Sequence, residues 1–162
     1  MIYMLTLRPY KKKDAKTVLS WIKDERAFRL WCADRFDDFP LSEEKFNEIY
    51  SDKDYSGMIA LDGQDVIGHF FIQDLKNDAY KFGLIIVDST KRGKGYGKKM
   101  LLTALDYAKS TLKAKRIVLA AFDTNPAAYN CYRGLGFKNT GKTTEYTFFN
   151  EKHSYIELEY LI

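Results

Sequence analysis

The sequence contains few cysteines and no long apolar run. Cys32 and Cys131 are the only cysteines among its 162 residues, which argues against a fold built on a framework of disulfide bonds. No segment approaches the apolar length that a membrane span needs. The N-terminal residues carry their positive charges after a short apolar run, the reverse of the order in a secretory signal. We therefore expect a cytoplasmic protein without a membrane partner.

The charged residues are also not concentrated in one block of the sequence. Lys and Arg number 26 against 22 Asp and Glu, which gives a net charge of +4 at neutral pH. Basic residues cluster at positions 11–13 and 91–99, but no nucleic-acid-binding motif accompanies them. A nucleic-acid-binding domain is therefore the lesser alternative. The length and the 46% of apolar residues predict one folded domain, residues 1–162, with its own core.

The most informative segment is a glycine-rich turn between an apolar strand and a long amphipathic helix. The turn is RGKGYG, Arg92 to Gly97, and the helix carries Leu101, Leu105 and Ala108 on one face. Glycines let the backbone approach a ligand closely. The N-terminus of a helix adds unpaired N–H groups and the positive end of its dipole. The segment therefore predicts a phosphate or pyrophosphate site, with an ordinary ligand-free turn as the alternative.

The spacing within this turn distinguishes between kinds of phosphate site. A Walker P-loop needs Lys followed by Ser or Thr, whereas Gly97 is followed by two lysines. A dinucleotide fingerprint beginning at Gly93 would need its third glycine at Lys98. Both are therefore excluded, and Arg92, Gly95 and Gly97 follow the pattern Arg-x-x-Gly-x-Gly instead.

A second motif follows further along the chain and consists of Asn125, Ala128, Tyr132, Gly136 and Phe137. The first three positions are spaced i, i+3 and i+7, which places them on one face of a helix. The two motifs, in this order, resemble those of the GNAT superfamily of acyl-CoA-dependent N-acyltransferases. In that family the first motif binds the pyrophosphate of the acyl-CoA.

The resemblance implies an α/β (α+β) fold: a mixed, mostly antiparallel sheet of about seven strands flanked by about four helices. Patterns in the sequence agree with this. They predict strands at residues 2–7, 55–61, 66–73, 79–87, 116–121, 143–149 and 154–161. They predict helices at residues 14–22, after Ser42, from Gly95 and from Asn125 to Arg133. The last strand, taken as an edge strand, would permit a homodimer.

The resemblance also implies that acetyl-CoA is the co-substrate and that no metal is required. The fourth and fifth strands would splay apart and hold the pantetheine arm between them, and a main-chain N–H near Val87 would polarise the thioester carbonyl. The residues expected to bind the cofactor are Ile85, Ile86, Val87, Arg92, Gly93, Lys94, Gly95, Tyr96, Gly97, Lys98, Asn125, Ala128 and Tyr132.

Tyr132 is the candidate catalytic acid, with a core aromatic as the alternative. A phenol has a pKa of about 10, so it is protonated at neutral pH and can donate to the leaving thiolate. Many family members place a Glu on the fourth strand, whereas Lys81 is the only charged residue at positions 79–87. The route of the amine proton therefore stays open between Asp123, His69 and a chain of water molecules.

The segment at residues 24–40 mixes aromatic residues with arginines, which is less typical of a pure core. In the GNAT family this region forms a wall of the acceptor site. Phe28, Trp31 and Phe36 are thus expected to bind a small-molecule or peptide amine, with packing in the core as the alternative. The predicted function is the transfer of an acetyl group from acetyl-CoA to a primary amine by direct attack. A non-catalytic acyl-CoA-binding module is the alternative.

Overall fold

A mixed sheet of seven strands runs through the molecule in the computed structural model, which describes residues 5–162. The strand order is β1-β2-β3-β4-β5-β7-β6, and all neighbours are antiparallel except the parallel pair β4 and β5. This confirms the predicted fold class. The strands are β1 (Thr6–Pro9), β2 (Tyr55–Asp62), β3 (Asp65–Lys76), β4 (Ala79–Val87), β5 (Arg116–Phe122), β6 (Lys138–Phe148) and β7 (Glu151–Leu161).

Helices cover both faces of the sheet. Side chains alternate along β3, so that Phe70 and Ile72 pack with the helix after the glycine-rich turn on one face and Phe71 packs with the N-terminal helices on the other. Ser42 caps the helix predicted to follow it, because its hydroxyl accepts from the N–H of Lys45 at 3.2 Å. Five α-helices lie among residues 5–162: α1 (Ala15–Ser20), α2 (Glu25–Cys32), α3 (Glu43–Glu48), α4 (Tyr96–Ser110) and α5 (Pro126–Gly134). None of them is long and apolar enough to cross a bilayer.

The ends of the sheet differ from the prediction in two places. The first strand continues to Pro9, because β1 is an edge strand, where a missing N–H is tolerated. Residues 2–4 of that predicted strand lie outside the described part. The last strand is not an edge strand, since β7 lies between β5 and β6. The hairpin turns at Phe149 and Asn150, both with positive φ, and its mostly exposed first strand, β6, forms the edge.

The two central strands separate soon after they begin to pair. β4 and β5 are hydrogen-bonded only where residues Ala79 to Lys81 face Arg116 to Val118. Beyond Lys81, one side of β4 has no neighbouring strand. The splayed strands expected from the family resemblance are therefore present, and the gap between their C-terminal ends positions the site described below.

Candidate functional site

A cavity of about 560 Å³ occupies the gap between β4 and β5. It is bounded by the end of β4, the glycine-rich turn, the first turn of α4, and α5. The predicted cofactor-binding residues that line it are Ile85, Ile86, Val87, Arg92, Gly93, Gly95, Tyr96, Gly97, Lys98, Asn125, Ala128 and Tyr132. Lys94, the remaining predicted residue, is exposed and does not line it.

The glycine-rich turn presents backbone to this cavity without side chains in the way. Gly93 and Gly95 have φ of +79° and +76°, which favours glycine, and a Cβ at either position would meet no atom within 4 Å. Gly95 is the N-cap of α4, so the positive end of the helix dipole lies at the cavity. The lysines Lys91 and Lys98 also line it. These features suit the diphosphate of a nucleotide cofactor.

Hydrogen bonds fix the turn on both sides. The Asp88 carboxylate accepts from the N–H of Thr90 at 2.9 Å and from its hydroxyl at 2.8 Å. At the other end, the Tyr96 hydroxyl donates to the Asp62 carboxylate at 2.5 Å, which ties α4 to the turn between β2 and β3. The backbone of the turn is therefore held in place by the protein itself.

A bulge in β4 shapes the wall opposite the turn. Leu84 has a φ of +47°, and the register with β3 shifts so that Leu84 and Ile85 together face Phe70. His69 supports this bulge, because its Nδ1 lies 3.0 Å from the carbonyl oxygen of Leu84. A carbonyl only accepts, so Nδ1 carries the proton and Nε2 accepts from the Tyr50 hydroxyl at 2.6 Å.

The same contacts describe the surroundings of His69 and Asp123, the two candidate bases. Burial lowers the pKa of His69 to about 4, and both of its nitrogens are already hydrogen-bonded. His69 lines neither this cavity nor the neighbouring one, so it positions β4 and is not placed to deprotonate an amine. Asp123 is exposed, accepts from the N–H of Ser154 at 2.9 Å and also lines neither cavity.

Tyr132 lies on α5, buried, at the wall of the larger cavity. Burial raises the pKa of its hydroxyl above the ordinary value of a phenol, so the group stays protonated at neutral pH. Cys131 also lines the cavity, and burial raises the pKa of its thiol. A protonated thiol is a weak nucleophile, which agrees with a reaction that forms no covalent intermediate on the enzyme.

A second cavity, of about 230 Å³, adjoins the first. The two share the lining residues Trp31, Gly83, Leu84 and Tyr155, so the β4 bulge separates them. The rest of the smaller cavity is lined by Cys32, Ala33, Asp34, Arg35, Phe71, Lys81 and Tyr146. It lies beside the splayed strands.

The three residues predicted to bind the acceptor lie in different positions relative to the two cavities. Trp31 lines both cavities, and its buried indole N–H has no hydrogen-bond partner among residues 5–162. Phe28 is fully buried and lines neither cavity. It therefore packs in the core beneath the wall, and the structure does not place it in contact with an acceptor. Phe36 stacks on Trp31 with ring centroids 6.3 Å apart and lines neither cavity.

Several lining residues carry no signal in the sequence that marks them as part of a site. They lie just after α1, in α2, in β5 and in β7, and their helical or alternating spacing indicates only an apolar face. They are Trp21, Ile22, Ala27, Leu30, Ala120, Ala121 and Tyr155. Lys81 is different, because a single charge within an apolar strand is itself a signal.

Comparison with known proteins agrees with this geometry. A family model described as the acetyltransferase (GNAT) family matches residues 17–137. The chain belongs to this family. It is a GNAT acetyl-CoA-dependent N-acetyltransferase, and acetyl-CoA is its co-substrate. Among residues 5–162, no group of three or more His, Cys, Asp and Glu could hold a metal ion.

The relatives of this GNAT chain cover different shares of its length. The spermidine N(1)-acetyltransferase of Vibrio cholerae is 24% identical over 98% of this chain and 92% of its own. The spermine/spermidine N(1)-acetyltransferase of Bacillus subtilis is 35% identical over 43% of this chain and 46% of its own. The structure of the V. cholerae spermidine N-acetyltransferase in complex with CoA and spermine superposes with a TM-score of 0.80, at 23% identity. That superposition covers 98% of this chain and 95% of the other.

Proposed function

We propose that the enzyme binds acetyl-CoA in the larger cavity and transfers the acetyl group to a primary amine held in the smaller one. The observation that carries this proposal is the adjacency of the two cavities at the β4 bulge. One cavity has a backbone anion site and the other opens beside it. Direct attack by the amine needs both reactants within contact distance, and two cavities with a shared wall provide that arrangement.

The chain would hold the cofactor mainly through its backbone. The turn at Gly93 and Gly95 and the first turn of α4 would bind the pyrophosphate, with Lys98 adding charge. The unpaired side of β4 at residues 85–87 would bind the pantetheine arm as an added strand. A main-chain N–H near Val87 would polarise the thioester carbonyl.

Tyr132 would stabilise the departing thiolate. Because burial raises the pKa of its hydroxyl above that of a thiol, we infer that Tyr132 donates a hydrogen bond and does not give up its proton. The acceptor amine must lose its own proton, and neither His69 nor Asp123 lines a cavity. We therefore propose that the amine proton leaves through water.

The relatives named above indicate which acceptors to test first. Two of them are spermidine or spermine acetyltransferases by name, so polyamines belong in the first acceptor panel for this enzyme. In the assay, purified protein, acetyl-CoA and one amine at a time are combined, and thiol release is followed. Product analysis by mass spectrometry then identifies the acetylated nitrogen.

Calorimetry on the wild type and on Gly95→Glu tests the cofactor site. The variant places a charged side chain in the open space beside the turn and forces a left-handed backbone on a non-glycine residue. We expect the wild type to bind acetyl-CoA and the variant to lose binding. If the wild type binds but turns over no amine, the non-catalytic acyl-CoA-binding module is the better hypothesis.

A further inference from the structure

The smaller cavity carries more positive than negative charge. Arg35 and Lys81 line it together with a single acid, Asp34. Neither cation forms a salt bridge within the described part of the chain. Burial lowers the pKa of Lys81, the charge of Arg35 lowers it further, and the charge of Glu157 offsets part of this effect. An anion bound between them would offset this cost.

The guanidinium of Arg35 packs near two aromatic rings. Its carbon lies 5.0 Å from the ring centroid of Phe71 and 5.6 Å from that of Tyr55. The N–H groups of a guanidinium packed in this way can still bind a carboxylate with two hydrogen bonds. Trp31 also lines this cavity, and its buried indole N–H has no partner among residues 5–162.

We propose that the acceptor is a small amine that also carries a carboxylate, and that Arg35 and Lys81 bind that carboxylate. This inference rests on the proposed function. The acceptor's amine would then extend past Gly83 and Leu84, the wall shared with the acetyl-CoA cavity. The volume of about 230 Å³ lies below the range of roughly 300–1,000 Å³ typical of sites for drug-sized ligands, which favours a molecule of amino-acid size.

A polyamine fits this cavity less well. It carries several positive charges and no negative one, so Arg35 and Lys81 would repel it, and only Asp34 would attract it. Lys81 is the only charged residue of β4, and it adds to this repulsion. The charge of this cavity therefore favours an acceptor with a carboxylate over a polyamine.

Matched pairs of acceptors test the proposal directly. Lysine is compared with 1,5-diaminopentane and ornithine with 1,4-diaminobutane, since each pair differs only by the carboxylate, and spermidine is added. With thiol release as the readout, we expect kcat/KM to be at least about tenfold higher for the carboxylate member, the worth of a hydrogen bond to a charged group. A diamine or spermidine turned over better than its carboxylate counterpart overturns the proposal.

Variants assign the effect to the two cations. Lys81→Gln and Arg35→Gln should each raise KM for the amino acid by about tenfold or more. Lys81→Glu should shift the preference toward the diamine. Lys16→Gln, which removes an exposed charge on α1, is the matched control and should change nothing. Acetyl-CoA binding by calorimetry shows that each variant is folded. Unchanged selectivity in folded Lys81→Glu also overturns the proposal.

A separate measurement distinguishes this proposal from the proposed function. If no amine in the panel is acetylated, the proposed function fails. Calorimetric titration of lysine and of 1,5-diaminopentane into the CoA-bound protein then decides the nature of the cavity. Tighter binding of lysine, lost in Lys81→Glu, supports a carboxylate site. Equal or weaker binding of lysine than of the diamine overturns it.

Discussion

Tyr132 combines burial with a place on the wall of the larger cavity. We expect Tyr132→Phe to lower kcat by about 10²-fold, because the leaving thiolate loses its hydrogen-bond donor. The Kd for acetyl-CoA should stay within about twofold, since the ring is retained. Steady-state kinetics and calorimetry measure the two quantities. Tyr129→Phe on the same helix is the control, because Tyr129 lines neither cavity, and equal losses in both variants would contradict the assigned role.

His69 links stability to pH. Its pKa is about 4 in the folded protein and about 6.5 unfolded, so the unfolded chain binds a proton first as the pH falls. The contribution of His69 is complete above pH 6.5 and decreases toward pH 4. Between pH 7 and pH 5 we expect a loss of about 2 kcal/mol in the free energy of unfolding. Urea unfolding at both pH values measures it.

The variant His69→Gln serves as the reference for that measurement. It has no titrating group at this position, so its loss between pH 7 and pH 5 should be smaller by the same amount. Equal losses in the two proteins would show that other groups govern the acid sensitivity. The variant also removes the support of the β4 bulge, so a lower stability at pH 7 is expected.

At the scale of elements, two glycines at the start of α4 are expected to affect stability in opposite ways. Gly95 has a φ of +76°, whereas Gly97 lies within the first turn of the helix, where glycine is unfavourable. We expect Gly95→Ala to lower the free energy of unfolding by about 1 kcal/mol and Gly97→Ala to raise it by up to about 1 kcal/mol. Chemical denaturation of the pair checks the opposite signs, and two losses of similar size would contradict this assignment.

The elements themselves were largely predictable, but the site was predictable only in part. The alternation of residues 79–87 predicted β4, and the glycine spacing predicted the turn and the start of α4. The bulge was not predictable, because Leu84 adopts a positive φ that leucine does not signal. The order of the last two strands was missed because one hairpin can add to a sheet through either of its strands. Arg35 and Lys81 are far apart in the sequence, and only the tertiary fold brings both to the wall of the smaller cavity.

At the scale of the whole molecule, the larger cavity is bounded by elements from both faces of the sheet. Residues from α2 and from the segment just after α1 on one face, and from α4 and α5 on the other, line it together with the central strands. Acetyl-CoA should therefore stabilise the entire fold. At a concentration 100 times its Kd we expect about 2.7 kcal/mol, which raises Tm by roughly 5–10 °C for a chain of this length. A thermal melt measures this shift, and Gly95→Glu should not show it.

Trp21 and Trp31 are the only tryptophans in the sequence, and both line the larger cavity, while Trp31 also lines the smaller one. All indole emission of the protein therefore originates at the walls of the two cavities. Cofactor titration should alter the signal of both rings, whereas an acceptor should alter that of Trp31 alone. In Trp31→Phe, acceptor binding should no longer change the fluorescence, whereas cofactor binding should still change it. The enzyme thus carries a built-in optical probe that can resolve the order in which its two substrates bind, without any label.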